Sequence, residues 1–267
     1  MPSEKMLSKK MISKKDNGVG WMILNNPERH NAISLEMWDA ALEIMADFQA
    51  DPEVRVMVIT GAGGKAFASG ADISKFKDER QEAQAVEHYQ ATTQKAYAAI
   101  LAMPIPTIAM VRGYCIGGGT AVAVCCDIRI CTENAKFGIP AAKLGLGYGL
   151  QRAIPLVDLV GPAYAKEMFF TGRHFDAREA RDMGLVNRVV ADDKLEAAVE
   201  EMTRAIAENA PLTVRCAKLV VGEALKDSMT RDVAATERAV AACFNSQDYK
   251  EGQAAFMEKR KPRFTGT

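Results

Sequence analysis

The sequence predicts an α/β fold, with strands and helices alternating through a core that is followed by a helical C-terminal section. Three observations carry this reading. Short β-branched apolar runs alternate with longer amphipathic patterns through the first half of the chain. Two glycine-rich loops each follow a predicted strand, at "GAGGKAFASGAD" (61–72) and "IGGGT" (116–120). From about Leu150 onward the pattern becomes helix after helix.

The first strand is "VGWMIL" (19–24). In "SLEMWDAALEIMADFQAD" (34–51), Met37, Ala41, Ile44, Met45 and Phe48 recur at helical spacing behind Ser34, a helix N-cap type. "VRVMVIT" (54–60) is a strand, broken by the glycines that follow. A helical pattern spans about 81–102 and ends at Pro104 and Pro106; "TIAMV" (107–111) is the next strand. "TAVAVCC" (120–126) reads as a short buried helix between the triple glycine and the strand-like "IRIC" (128–131). Further helices are predicted over 176–184, 192–209, 211–226 and 229–245, with one short strand near "VNRVV" (186–190). The division is therefore a flexible tail over 1–15, an α/β core over 16–200 and a helical region over 201–267. The methionines at 1, 6 and 11 also allow a start at Met11.

Composition narrows the function classes. The 267 residues are 48% hydrophobic and 25% charged, with a formal net charge of zero. No global field draws the chain to nucleic acid or an anionic membrane, so any anion site must be built locally. No apolar run reaches the length of a membrane span, and the basic start lacks the apolar stretch of a secretory signal. The six cysteines form no C-x-x-C pair, and the three histidines are scattered. This pattern predicts reduced thiols in a cytoplasmic protein without a metal. "GAGGK" (61–65) lacks P-loop spacing, and no G-x-G-x-x-G opens a helix, which disfavours nucleotide hydrolysis and dinucleotide chemistry.

The two glycine loops point to a site. Without Cβ atoms a backbone can approach a ligand closely, and a helix start offers N–H groups without intrahelical partners. One N–H from each loop, converging on one oxygen, would form an oxyanion hole. Tight strand–helix packing explains either loop alone equally well.

The chain resembles the enoyl-CoA hydratase/isomerase family, the crotonase superfamily. The resemblance rests on "NNPERHNAISLEM" (25–37), "KAFASGADI" (65–73), "VRGYCIGGGTAVAVCCDIRI" (111–130), "KFGIP" (136–140), "ARDMGLVNRVV" (180–190) and "AFMEKRKPRF" (255–264). It implies the crotonase (ClpP-like) fold, repeated ββα units in a spiral core with a C-terminal helical trimerisation region. It also implies an acyl-CoA thioester substrate, no cofactor beyond the coenzyme A of that substrate, and a homotrimer or homohexamer. The N–H groups of Ala71 and Gly118 match the family's two donors to the thioester oxygen. Lys65, Ala66, Ala68, Asp72 and Ile73 match the segment bordering CoA; Phe256 and Lys259 match positions near its nucleotide end. Arg29 and His30 stand where the family contacts CoA, although "PERHNA" departs from its commoner order.

The same resemblance exposes a gap. Hydratases of the family carry glutamates at the positions of Ala121 and Ala141. Alanine supplies neither acid nor base, and each such group contributes about 10²–10⁴-fold. Two-glutamate hydration is therefore not expected. A lyase reaction such as decarboxylation of a malonyl-type CoA is preferred, because loss of carbon dioxide leaves the enolate directly. "AAKLGLGYG" (141–149) places Tyr148 where the similar methylmalonyl-CoA decarboxylase branch also has a tyrosine, although Ala71 replaces a histidine of that branch. The competing expectations are a hydratase or isomerase using another base, and a catalytically silent acyl-CoA binder. Tyr114 is expected beneath the hole and Asp127 in a core polar pair with Arg129 as one candidate. His88, Asp78, Glu79 and Glu82 are weaker candidates near the pocket.

Overall fold

The computed structural model describes residues 3–72 and 83–267. The chain opens with three strands, β1 (Ser3–Ser8), β2 (Met11–Asp16) and β3 (Val19–Leu24), joined as antiparallel hairpins. Helix α1 (Leu35–Ala50) follows. Three ββα units come next. They are β4 (Val56–Gly61), β5 (Ala66–Ala68) and α2 (Ala83–Leu101); β6 (Thr107–Val111), β7 (Tyr114–Ile116) and α3 (Gly118–Cys125); and β8 (Ile128–Thr132), β9 (Lys136–Gly138) and α4 (Leu150–Thr171). In each unit the first strand joins a large sheet of order β1-β2-β3-β4-β6-β8-β11. The second joins a small sheet of order β10-β9-β7-β5. The short strands β10 (Phe175–Asp176) and β11 (Arg188–Val190) flank helix α5 (Ala177–Asp182). Helices α6 (Leu195–Ala207), α7 (Pro211–Leu225), α8 (Val233–Phe244) and α9 (Gln247–Glu258) complete the chain.

The parallel strands are apolar on both faces because both are covered. Along β4, Met57 and Ile59 face the larger core beneath α1 to α4, while Val56 and Val58 face Leu195 and Val199 of α6. Strand β6 divides in the same way, with Ala109 and Val111 on one side and Ile108 and Met110 on the other. Alternation along a strand thus builds two cores from one sheet. Helix α6 straddles the expected division at residue 200 and packs on the sheet along its length, through Met202 and Ile206 as well.

One expectation is corrected here. Residues 3–16 do not form a loose tail but a hairpin on the edge of the large sheet. Met11 is 0% exposed and pairs with Leu24, and Ser13 is buried on the same face. The strand escapes a sequence reading because its alternating positions hold serine and lysine rather than β-branched residues. No helix among the described residues is long and apolar enough to cross a membrane.

Candidate active site

Both glycine loops sit at the C-terminal ends of small-sheet strands that pair in parallel, β5 before residues 69–72 and β7 before residues 117–120. Parallel pairing therefore brings loops from distant sequence side by side. A Cβ at Gly70 would lie 3.3 Å from the Gly118 nitrogen, and its φ of +104° is one that other residues rarely adopt. A Cβ at Gly119 would lie 2.2 Å from the Ala68 carbonyl oxygen, so the start of α3 rests directly on β5. The Gly117 N–H donates to the Gly138 carbonyl at 2.7 Å, and the Thr120 hydroxyl donates to the Cys115 carbonyl. These bonds clamp the first turn of α3.

On the other loop, the Ile33 N–H donates to Gly70 O at 2.8 Å and the Asp72 N–H to Ile33 O at 3.0 Å, leaving the Ala71 N–H between them without an acceptor among the described residues. The Gly118 N–H, in the first turn of a helix, is also without an acceptor among the described residues. Ala71 and Gly118 both line a cavity of about 250 Å³. Two free donors on one small cavity can hold one anionic oxygen.

The opposite wall comes from α1, α2 and the segment leading into α4. Trp38 and Tyr97 meet edge to face, with centroids 5.0 Å apart. Thr93 and Tyr97, four residues apart, line the cavity from one face of α2. Tyr148 lies against Phe169 at 4.8 Å, and the Arg152 guanidinium lies 5.0 Å from the Tyr148 ring centroid. The Tyr148 hydroxyl and Trp38 Nε1 are buried without a hydrogen-bond partner among the described residues. Burial pushes the Tyr148 phenol up to about 12, with nearby Arg152 opposing, so it is neutral and proton-bearing at neutral pH. Burial likewise raises Tyr97, which sits beside Gly118.

Of the expected site residues, the structure brings together Ala71, Gly118, Tyr148 and Ala141 on this cavity. Ala121 is buried behind it in α3. The residues expected at CoA are dispersed. Arg29 is half-exposed and ion-paired at 3.2 Å to the buried Asp72. His30 is exposed in a left-handed turn, edge-on to Tyr114. Lys65 is exposed, whereas Ala66 and Ala68 are buried, and the Ala66 carbonyl accepts from Asn31 Nδ2 at 2.7 Å. Phe256, 82% exposed, and Lys259 lie at the end of α9 and do not line the cavity. Ile73, Asp78, Glu79 and Glu82 lie outside the described residues.

Three minor expectations change. Tyr114 is not packed beneath the hole but exposed, between the rings of His30 and His174. His88 is exposed and does not line the cavity. The Asp127 carboxylate accepts from Thr107 and Lys218 rather than from the Arg129 guanidinium, which is buried among the carbonyls of Leu185, Ala123 and Cys126. Trp38, Thr93, Tyr97 and Arg152 escaped the sequence reading as site residues; the four-residue step between Thr93 and Tyr97 was the available signal. Among the described residues no group of three or more His, Cys, Asp and Glu side chains gathers for a metal.

Parallel ββα units thus place two amides without acceptors among the described residues beside one partly enclosed cavity. The comparisons give that scaffold its family. The enoyl-CoA hydratase/isomerase family matches residues 14–267, and the chain belongs to it. It is 36% identical over 263 residues to a crotonyl-CoA hydratase of Syntrophomonas wolfei, covering 97% of this chain and 99% of the relative. A short-chain-enoyl-CoA hydratase of Clostridium acetobutylicum is 33% identical, over 94% of this chain and 95% of its own. Among solved structures, an enoyl-CoA hydratase/carnithine racemase from Magnetospirillum magneticum superposes with a TM-score of 0.93 at 36% identity, covering 99% of this chain and 97% of its own.

Proposed function

We propose that this chain is an acyl-CoA enzyme that holds a thioester oxygen between the Ala71 and Gly118 amides and stabilises the enolate formed there. The observation that carries the reading is that these two residues, whose N–H groups have no acceptor among the described residues, line one cavity. Donors fixed before the reaction favour the state in which negative charge develops on the oxygen. The neutral Tyr148 phenol is the proton donor to the enolate carbon.

Hydration or isomerisation of an enoyl-CoA is the reaction that the names of the relatives support. They do not support the lyase preference drawn from sequence. The alanines at 121 and 141 then mean that water is activated by a group other than the usual glutamate pair. Decarboxylation of a malonyl-type CoA is the second reading. It is favoured by one observation, that the described cavity lining contains no carboxylate or imidazole and needs none for loss of carbon dioxide. Apolar side chains exposed on α7 to α9, among them Leu225, Phe244 and Phe256, support a homotrimer or homohexamer. Four buried free thiols suit a cytoplasmic location.

Turnover followed by mass spectrometry, with crotonyl-CoA and methylmalonyl-CoA side by side, tests the reading. Hydration of crotonyl-CoA supports the first reaction, and carbon dioxide loss from methylmalonyl-CoA alone supports the second. Tight binding without turnover of any thioester would leave a silent binder and refute the enzyme reading.

A further inference from the structure

Among the described residues lining the cavity, one side chain carries a charge, Arg152. It is half-buried in the first turn of α4, and that turn contains no Asp or Glu. No carboxylate pairs with it among the described residues. The N-terminus of a helix disfavours a cation, so the position works against the helix that carries it. A guanidinium at a helix start, facing a partly enclosed cavity and without a carboxylate partner among the described residues, is a local positive charge in a chain of zero net charge.

Two further donors belong to residues that line the same cavity and are buried without an acceptor among the described residues. The Tyr148 hydroxyl is buried and unpartnered although the Tyr148 ring lies beneath the Arg152 guanidinium, and Trp38 Nε1 is in the same condition. Buried donors are ordinarily satisfied, and leaving one unmet costs roughly as much as a lost hydrogen bond. The thioester oxygen does not meet the need, because the Ala71 and Gly118 amides on the facing loops already take it. What the wall lacks is a second anionic acceptor.

The geometry points to Arg152 as the recognition site for a carboxylate at the far end of the acyl chain, making the substrate the CoA thioester of a dicarboxylic acid. This rests on the reading of the cavity as a CoA-thioester site and adds the class of acyl group. A guanidinium matches a carboxylate in plane and charge. The same chemistry serves a short malonyl-type and a longer glutaconyl-type chain.

Calorimetric binding of two matched pairs tests it, acetyl-CoA against malonyl-CoA and crotonyl-CoA against glutaconyl-CoA. Each pair differs only by the carboxylate. Wild-type protein is expected to bind at least one carboxylated member about tenfold or more tightly than its partner, in line with a hydrogen bond to a charged group. Preference confined to the malonyl pair assigns the short chain, and preference confined to the glutaconyl pair assigns the longer one. Arg152→Gln should abolish the preference and leave the uncarboxylated member nearly unchanged, and Arg152→Lys should restore part of it as a point charge. Equal binding of both members by wild type, or an equal loss for both in Arg152→Gln, overturns the inference while the thioester reading stands. Failure to bind any of the four overturns both.

Discussion

Replacing Gly118 by proline removes one N–H and sets the ring Cδ in its place. Gly118 does not have a positive φ, and it occupies the first position of α3, where proline's fixed φ is compatible with the helix. Gly117 before it is non-helical, at φ 56° and ψ −114°, so the clash that proline imposes on a helical predecessor does not arise. A Cβ at Gly118 has ordinary contacts, 3.4 Å from Gly70 Cα and 3.5 Å from Tyr97 Oη. Gly118→Ala keeps the N–H and adds the same first carbon, so it controls for the Cβ that proline brings. The neighbouring Gly117 N–H cannot take over, because it is committed to Gly138. Removing one of two oxyanion donors typically costs about 3–4 kcal/mol, a fall of about 10²–10³ in kcat. The assay is kcat and KM on whichever thioester turns over, with thermal melts on all three proteins. Gly118→Pro should fall by that factor at nearly unchanged stability, and Gly118→Ala should remain within a few-fold of wild type. Equal activity in the two folded variants would refute the assignment of this amide to the thioester oxygen.

Tyr148→Phe keeps the packing on Phe169 and deletes a buried hydroxyl that has no protein partner, so unfolding free energy should hold steady or rise. If the phenol is the proton donor, kcat falls about 10²-fold or more; an unchanged kcat would reduce Tyr148 to a wall residue. Installing both carboxylates, Ala121→Glu with Ala141→Glu, should raise hydration of crotonyl-CoA. No gain in a folded double variant would show that cavity shape also excludes that chemistry. Burial raises Cys125 from 9.0 to about 12, so the native state holds its thiol proton where the unfolded chain has released it. The resulting stability is full below pH 9.0 and is lost as pH rises toward about 12. Denaturant melts of Cys125→Ala across that window should show a shallower decline than wild type, by up to about 1.4 kcal/mol per pH unit. Parallel declines would contradict the shift.

Periodicity and glycine chemistry made much of the fold legible. β3 spans the predicted residues 19–24, and α1 to α3 stand where apolar spacing and glycine punctuation put them. The signals that failed were short or polar. The hairpin of β1 and β2 is rich in lysine and serine, and β9 and β10 are only three and two residues long, too brief for a period to register.

Local chemistry was therefore determined by the sequence alone: which loops could expose amides, and that alanine at 121 and 141 supplies no acid or base. Convergence was decided by the tertiary structure. Parallel pairing of β5 with β7 brings Gly70 to Gly118, and packing of α1, α2 and α4 brings Trp38, Tyr97 and Arg152 onto one cavity. Partnerlessness is also a tertiary property. A side chain's type states what it can donate, but only the packed surroundings show that, among the described residues, Tyr148 and Trp38 found no acceptor and Arg152 no acid.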